Sequence, residues 1–167
     1  ALSDIKAYCE KEGYEWHYSL VVSTLEKHGP LVVGFNWGAA EGERYEPQYQ
    51  INRSDFGGSD IGSLNRIKRY CIRYLGNDFI SKISQTNYCF FRSKKEEQIT
   101  RSDIALCEPI YDQLVAILEP SAILCFSSRL RGYLLSSGRL SQIEKHEISY
   151  RRGLRELVYT AVKAENA

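Results

Sequence analysis

The sequence predicts an α/β fold in which strands alternate with helices around one sheet. Residues 31–35 and 122–126 are short, continuous apolar runs between breaker residues, and residues 84–91 form a further strand-like segment. Stretches with apolar residues at helical spacing separate these strands, which favours parallel pairing. We therefore expect a three-layer α/β/α sandwich with a central, mostly parallel four-stranded sheet, formed by a single domain over residues 1–167.

Composition agrees with a globular domain. The chain has 167 residues, of which 43% are hydrophobic and 26% charged. No apolar run approaches the roughly 20 residues of a membrane helix, and the first residues lack the pattern of a signal peptide. We expect a cytoplasmic monomer without membrane contact. Because 22 basic residues oppose 21 acidic ones, any nucleic-acid surface must be local.

The first half of the chain predicts three helices and one long loop. Apolar residues recur at helical spacing over residues 5–13, 17–27 and 61–74, and Gly29-Pro30 and Gly76-Asn77 end the last two segments. Residues 37–60 are polar and rich in glycine without a clear period. A loop of this length inside a domain is usually functional or partly disordered.

In the second half, a charged loop over residues 92–97 precedes a helix over residues 102–119, and Pro109 marks either a kink or the start of that helix. A short helix over residues 127–135 and a weak fourth strand over residues 142–148 follow. The last helix is predicted from about Tyr150, because apolar residues recur at helical spacing: Leu154, Leu157, Val158, Ala161 and Val162.

Cysteine and histidine usage indicates neither a disulfide framework nor a metal site. Five cysteines occur without a C-x-x-C pair, and the three histidines show no ligand spacing with acidic residues or cysteines. We expect reduced thiols that pack as small hydrophobic groups. No cofactor is expected.

Polar residues follow the predicted strands at the edge where ligands bind in parallel α/β sheets. Gly34, Asn36 and Gly38 follow the first strand, in a spacing that matches neither a dinucleotide fingerprint nor a phosphate loop. Asn87 lies within the second strand. Its amide either ties neighbouring loops together or recognises the edge of a flat heterocycle.

Basic residues cluster near the same edge. One group contains Arg129, Arg131 and Arg139, and another contains Lys145, Arg151, Arg152 and Arg155. A charge run is usually a solvated face, but these two groups flank the predicted crevice, where phosphate contacts would be needed.

Taken in order, these segments resemble the uracil-DNA glycosylase superfamily. The resemblance covers roughly residues 30–150 and rests on five motifs. These are Gly34-Phe35-Asn36-Trp37-Gly38, Phe56-Gly57-Gly58, Asn87-Tyr88-Cys89, Cys107-Glu108-Pro109 with the strand after it, and His146-Glu147-Ile148-Ser149. The order and spacing of the five motifs along the chain carry the resemblance.

The resemblance implies hydrolysis of the glycosidic bond of uracil, or of a related damaged base, after the base is flipped out of single-stranded or damaged duplex DNA. It implies catalytic roles for Asn36, which would hold the attacking water, and His146, which would stabilise the departing base. Phe56 would stack on the base and Asn87 would read its edge. Gly34, Trp37 and Gly38 would complete the substrate loop.

The same resemblance implies a DNA-binding surface. Arg151, Arg152 and Arg129 would contact phosphates, and Tyr150 would fill the vacated stack. Branches with an iron–sulfur cluster use four cysteines, but this chain has only Cys9 where they carry a close pair. No cluster is therefore expected.

Two departures from the family pattern leave alternatives open. Trp37 stands where proline is usual, and Glu147-Ile148 replaces proline-serine. They favour a non-catalytic member that binds nucleic acid or damaged bases. A third hypothesis is an unrelated flavodoxin-like domain that binds a nucleotide or a small anion at residues 34–42.

Overall fold

A computed structural model describes residues 7–8, 10–11, 25–38, 62–152 and 155–166 of the chain. The chain divides into two compact units, Ala1–Ser127 and Ser128–Ala167. Residues 7, 8, 10 and 11 are helical, as predicted for this part of the chain.

The first unit alternates strands and helices. Its strands are β1 (Pro30–Gly34), β2 (Trp37–Gly38), β3 (Ser84–Asn87), β4 (Arg92–Ser93) and β5 (Ala122–Cys125). Its helices are α1 (Gly62–Leu75) and α2 (Arg101–Leu118), with short 3-10 helices at Asn77–Lys82 and Glu96–Gln98.

The main sheet is parallel and has the order β3-β1-β5. Gly34 at the end of β1 lies opposite Asn87 at the end of β3, and Val33 lies opposite Cys125 of β5. The α/β class with a parallel sheet is therefore confirmed. Within the described residues this sheet has three strands.

The central strand is buried on both faces, which is why its sequence is continuously apolar. Val32 packs against Cys71 of α1 and against Ile83, while Leu31 and Val33, which alternate with it, are fully buried on the other face. Strand β3 is buried although all four of its residues are polar.

Helix α1 ends where glycine provides the backbone geometry for a stop. Gly76 has a φ of 92°, and its N–H donates to the carbonyl of Ile72 at 3.0 Å. Few other residues adopt that conformation without strain. Ile67 and Cys71, four residues apart, share the face that packs on Val32. The predicted helix over residues 61–74 is confirmed to within one residue at each end.

Helix α2 begins at a capping box. The Oγ1 of Thr100 accepts a hydrogen bond from the N–H of Asp103 at 3.2 Å, and Oδ2 of Asp103 accepts one from the N–H of Thr100 at 2.7 Å. Pro109 lies in the interior of the helix, so the helix does not begin there. Glu119, in the left-handed region with a φ of 46°, caps the other end.

Two predicted boundaries in the first unit are wrong. The strand predicted over residues 84–91 ends at Asn87, and the charged segment after it contains β4, which pairs in parallel with β2. Residues 25–28 are not helical, so the helix predicted over residues 17–27 does not reach Lys27. Residues 17–24 lie outside the described part.

The second unit contains helix α3 (Ser128–Ser136) and an antiparallel pair of strands, β6 (Leu140–Arg152) and β7 (Arg155–Asn166). The short helix predicted over residues 127–135 is confirmed to within one residue. The strand predicted over residues 142–148 exists within β6. It pairs with β7 and not with the parallel sheet.

The predicted C-terminal helix from about Tyr150 is wrong. Arg152 pairs with Arg155, so two residues connect the strands, and one of them is Gly153. A two-residue connection with glycine is a hairpin signal. Val158, Tyr159, Thr160 and Val162 are residue types that favour strands, and this preference competes with the helical spacing of the apolar residues.

No helix in the described part of the chain is long and apolar enough to cross a membrane.

Candidate functional site

The segments that follow β1 and β3 run side by side at the carboxyl edge of the sheet. Beyond the paired ends of the strands, the N–H of Tyr88 donates to the carbonyl of Gly34 at 3.0 Å, and the N–H of Cys89 donates to that of Phe35 at 2.8 Å. The pairing of β2 with β4 then brings Trp37 opposite Arg92 and Gly38 opposite Ser93. The first and third predicted motifs are therefore neighbours in space.

The side chain of Asn36 is oriented by two acceptors. Its Nδ2 donates to the carbonyl oxygen of Trp37 at 3.0 Å and to Oγ of Ser93 at 2.7 Å. Both amide hydrogens are used in this way, which leaves Oδ1 as the remaining polar atom. No donor to Oδ1 is found among the residues that the structure describes. Asn36 is half-buried, so this oxygen can accept a hydrogen bond from water or from a ligand.

Asn87 lies at the end of the neighbouring strand β3, and its side chain is held differently from that of Asn36. Only 5% of its surface is exposed, yet its carboxamide makes no hydrogen bond to any described residue. Its Oδ1 occupies the space over Gly34 where the Cβ of any other residue would lie. Neither amide atom belongs to the fully enclosed, unpaired side-chain atoms found among the described residues, so the amide stays within reach of solvent or of a ligand. It is therefore available to pair with a ligand.

Gly34 makes room for its neighbour. The space that a side chain at position 34 would fill is occupied by the amide of Asn87. Gly38 is exposed, and a Cβ there would meet nothing within 4 Å. Trp37 is half-buried, and its backbone carbonyl accepts the hydrogen bond from Asn36.

Aromatic packing anchors the segment that carries Asn87. The ring of the fully buried Tyr88 lies 4.8 Å from that of Tyr111 on α2, and its hydroxyl donates to Oε1 of Glu108 at 2.5 Å. Phe90 and Phe91 are buried as well. These contacts tie the segment after β3 to α2 and thereby fix the position of Asn87.

Cys89 and Cys107 lie behind this segment as buried thiols. Their sulfur atoms are 3.9 Å apart, and both residues are fully buried. The hydrogen bond with Cys107, followed by burial, raises the pKa of Cys89 far above its ordinary value. Such a thiol stays protonated and is neither a nucleophile nor a ready metal ligand. The prediction that these cysteines pack as small hydrophobic groups is confirmed.

The other predicted site residues lie outside the described residues or in the second unit. Phe56 lies outside the described residues. His146 lies within β6, opposite Ala161, in the segment over residues 142–148 that we predicted to be a strand. Tyr150, Arg151 and Arg152 also belong to β6. The side chains of these four residues lie outside the described part.

Arg129 belongs to the second unit, where it is half-buried on α3. No group of three or more potential metal ligands occurs among the described residues.

Ser93 is a site residue that sequence reasoning missed. It is 3% exposed, and its hydroxyl donates to the carbonyl of Lys95 at 2.8 Å while accepting from Asn36. In the sequence it stands within a charged run that predicts a solvated loop. Its position is set by the pairing of β4 with β2, which lies more than fifty residues earlier in the chain. No local pattern indicates that pairing.

A shallow cavity of about 370 Å³ lies at the other end of β1. It is lined by Glu26, Lys27, His28, Gly29, Pro30 and Lys82. The nearby ion pairs of Lys27 and His28 with Glu119 are long and exposed, so they contribute little. Parallel α/β sheets bind their ligands at the carboxyl edge, and this cavity lies at the amino edge.

No family model matches the chain, and no curated protein matches it.

Proposed function

We propose that the chain is a glycosylase that hydrolyses the N-glycosidic bond of uracil, or of a related damaged base, in DNA. The observation that supports this most is the pair of asparagines at adjacent strand ends. Asn36 keeps an amide oxygen without a described donor, and Asn87, which is 5% exposed, keeps an amide that no described residue pairs with. Their order along the chain matches the order of motifs in the superfamily that the sequence resembles.

In this proposal the Asn87 amide pairs with the edge of the flipped base. An amide offers one donor and one acceptor, which suits the alternating groups of uracil. A base with the opposite pattern leaves buried polar atoms unpaired, so it binds less well. The anchoring of Tyr88 against Glu108 and Tyr111 holds this amide in place before the base arrives.

Asn36 positions the water. Its Oδ1 accepts a hydrogen bond from a water molecule, whose oxygen then forms a bond to C1′ of the deoxyribose as the bond to the base breaks. The bonding electrons leave with the base, and the water proton passes to solvent or to the base. Because an amide is a weak base, it orients the water without removing the proton at the start.

The resemblance supplies the remaining roles. Within this proposal His146 stabilises charge on the departing base, Phe56 stacks on it, and Arg129, Arg151 and Arg152 contact phosphates. Tyr150 fills the vacated stack. The full four-stranded, three-layer sandwich, a monomeric state and a cytoplasmic location also belong to the proposal. No cofactor is required, since water is the only co-substrate.

The test is a cleavage assay on single-stranded DNA carrying one uracil. Protein from a host without its own uracil glycosylase activity is incubated with the oligonucleotide, which is then treated with alkali to cleave abasic sites. We expect cleavage by the wild type and loss of at least about 100-fold in Asn36→Ala, because the water loses its acceptor. DNA affinity should stay within about twofold, since Asn36 does not bind phosphate.

Asn65→Ala is the matched control, because Asn65 is an exposed asparagine on α1. It should cleave like the wild type. His146→Ala tests the role that the resemblance assigns to that residue. Cleavage that persists in Asn36→Ala would contradict the role of Asn36, and no cleavage of any damaged base by folded wild type would contradict the activity.

The second candidate is a non-catalytic member that binds DNA. It is favoured by the position of His146 within a strand, where the family carries a loop. This candidate predicts salt-dependent DNA binding without an abasic product.

A further inference from the structure

The amide of Asn36 is supported by a short series of hydrogen bonds. It involves the hydroxyl of Ser93 and the carbonyl groups of Lys95 and Trp37. The Oγ of Ser93 donates its single hydrogen to the carbonyl of Lys95 at 2.8 Å. It therefore presents only lone pairs to Asn36, whose Nδ2 donates to it at 2.7 Å. The carbonyl of Trp37, also a pure acceptor, lies 3.0 Å from the same nitrogen.

This series of hydrogen bonds gives the amide of Asn36 one preferred orientation. The oxygen and the NH2 group of an amide have almost the same shape, so packing alone does not distinguish the two orientations. If the amide were reversed, Oδ1 would face the carbonyl of Trp37, and Ser93 would have to give up its bond to Lys95 in order to donate. The first change places two acceptor oxygens against each other, and the second leaves the carbonyl of Lys95 without its donor.

Ser93 is well placed for this task because it is rigid. It is 3% exposed and lies in β4, whose pairing places it opposite Gly38, two residues after Asn36. The backbone of Lys95 is fixed in turn, since its N–H donates to Oε1 of Gln98 at 3.0 Å. A supporting group that is itself held by hydrogen bonds can orient a catalytic side chain accurately.

We propose that Ser93 is a positioning residue that sets the orientation of the Asn36 amide and thereby directs Oδ1 at the attacking water. This inference rests on the proposed function. Ser93 touches neither the base nor the water, so its effect on the reaction passes through Asn36.

The first test is kinetic. Ser93→Ala and wild type are compared in single-turnover cleavage of the uracil oligonucleotide, together with DNA affinity. We expect the rate constant to fall roughly 10- to 100-fold, since the amide samples the reversed orientation, with an affinity within about twofold of wild type. Ser93→Thr keeps the hydroxyl and should retain at least about a third of the wild-type rate.

A double variant separates positioning from general damage. In the Asn36→Ala background, Ser93→Ala should change the residual rate by less than about twofold, because the group that Ser93 orients is gone. An equal loss in both backgrounds would overturn the proposal, as would a Ser93→Ala rate equal to wild type. If Ser93→Ala does not fold, Ser93→Cys replaces it and should show an intermediate rate, because a thiol is a weak acceptor.

The second test does not depend on activity. Nuclear magnetic resonance of the side-chain amides compares the Asn36 NH2 group in wild type and in Ser93→Ala. We expect slow hydrogen exchange in wild type and at least about tenfold faster exchange in the variant, since one of two acceptors is lost. If wild type does not cleave DNA, the proposed function fails and this inference about catalysis fails with it. In that case, slow exchange of the Asn36 NH2 group in wild type would still establish the orientation of the amide. Fast exchange in wild type would overturn the orienting role of Ser93.

Discussion

Gly34 and Asn87 form a pair in which one residue makes room for the other. The two residues are opposite in adjacent parallel strands, and the amide of Asn87 lies over the glycine. Any side chain at position 34 competes with that amide for the same space. The requirement for glycine therefore arises from a neighbouring side chain and not from backbone geometry.

Gly34→Ala should turn the Asn87 amide away, because the new Cβ would overlap Oδ1. We expect cleavage of uracil DNA to fall as far as it does in Asn87→Ala, within about threefold. The free energy of unfolding should fall by no more than the roughly 1–3 kcal/mol that overpacking usually costs. The reason is that the end of the asparagine side chain can rotate away from the new methyl group.

The control for this prediction is the double variant Gly34→Ala/Asn87→Ala. With the amide absent the methyl group meets no obstacle, so the double variant should be as active as Asn87→Ala alone. Thermal unfolding and the cleavage assay measure both effects. Full activity of Gly34→Ala would contradict the overlap.

At the scale of elements, α2 organises the segment that carries Asn87. The helix supplies Cys107, Glu108 and Tyr111 to the residues after β3. Its start is held by Thr100 and Asp103. The hydroxyl of Tyr8 donates to Oδ1 of Asp103 at 3.1 Å, so the same carboxylate also ties an N-terminal residue to the helix.

Asp103→Ala should lower the free energy of unfolding by about 1–3 kcal/mol, because the capping box and the bond from Tyr8 are lost together at a buried site. Urea denaturation measures the change. Gln113→Ala, at an exposed position of the same helix, is the control and should stay within about 0.5 kcal/mol. An Asp103→Ala effect as small as that of the control would show that the helix start does not depend on the box.

At the scale of the whole molecule, buried thiols couple stability to alkaline pH. Burial raises the pKa of Cys71, and the hydrogen bond with Cys107 together with burial raises that of Cys89 above its ordinary value of 9.0. In the unfolded chain these thiols ionise near 9, whereas in the folded chain they remain protonated. Their contribution to stability is complete below that pH and is lost as the pH rises further.

We therefore expect the free energy of unfolding to fall between pH 8.5 and 10.5, by up to about 1.4 kcal/mol per pH unit above 9 for each strongly shifted thiol. Urea denaturation across this range measures the slope. Cys89→Ala should reduce the slope, and Cys125→Ala, at an exposed position, should leave it unchanged. An identical slope in wild type and Cys89→Ala would contradict the shift.

Much of the first unit was predictable because its signals are local. Strands β1 and β5, helices α1 and α2, and the position of Asn36 after β1 follow from hydrophobic spacing and from glycine at the stops. The continuous apolar run of β1 is typical of a strand buried on both faces, so its sequence carries that information alone. The C-terminal hairpin was missed because residues 154–162 satisfy helical spacing and strand preference at once.

The sequence by itself determined the placement of Asn36 after the first strand, since this depends on neighbours within a few residues. The alternation of strands with helices along the chain indicated the α/β class and the parallel sheet. Only the tertiary structure decided that Ser93 orients Asn36 and that Gly34 makes room for Asn87. Both contacts join strands that are more than fifty residues apart in the chain. The physical reason is that the partner of a polar side chain is selected by strand pairing across the sheet, which local residue patterns do not encode.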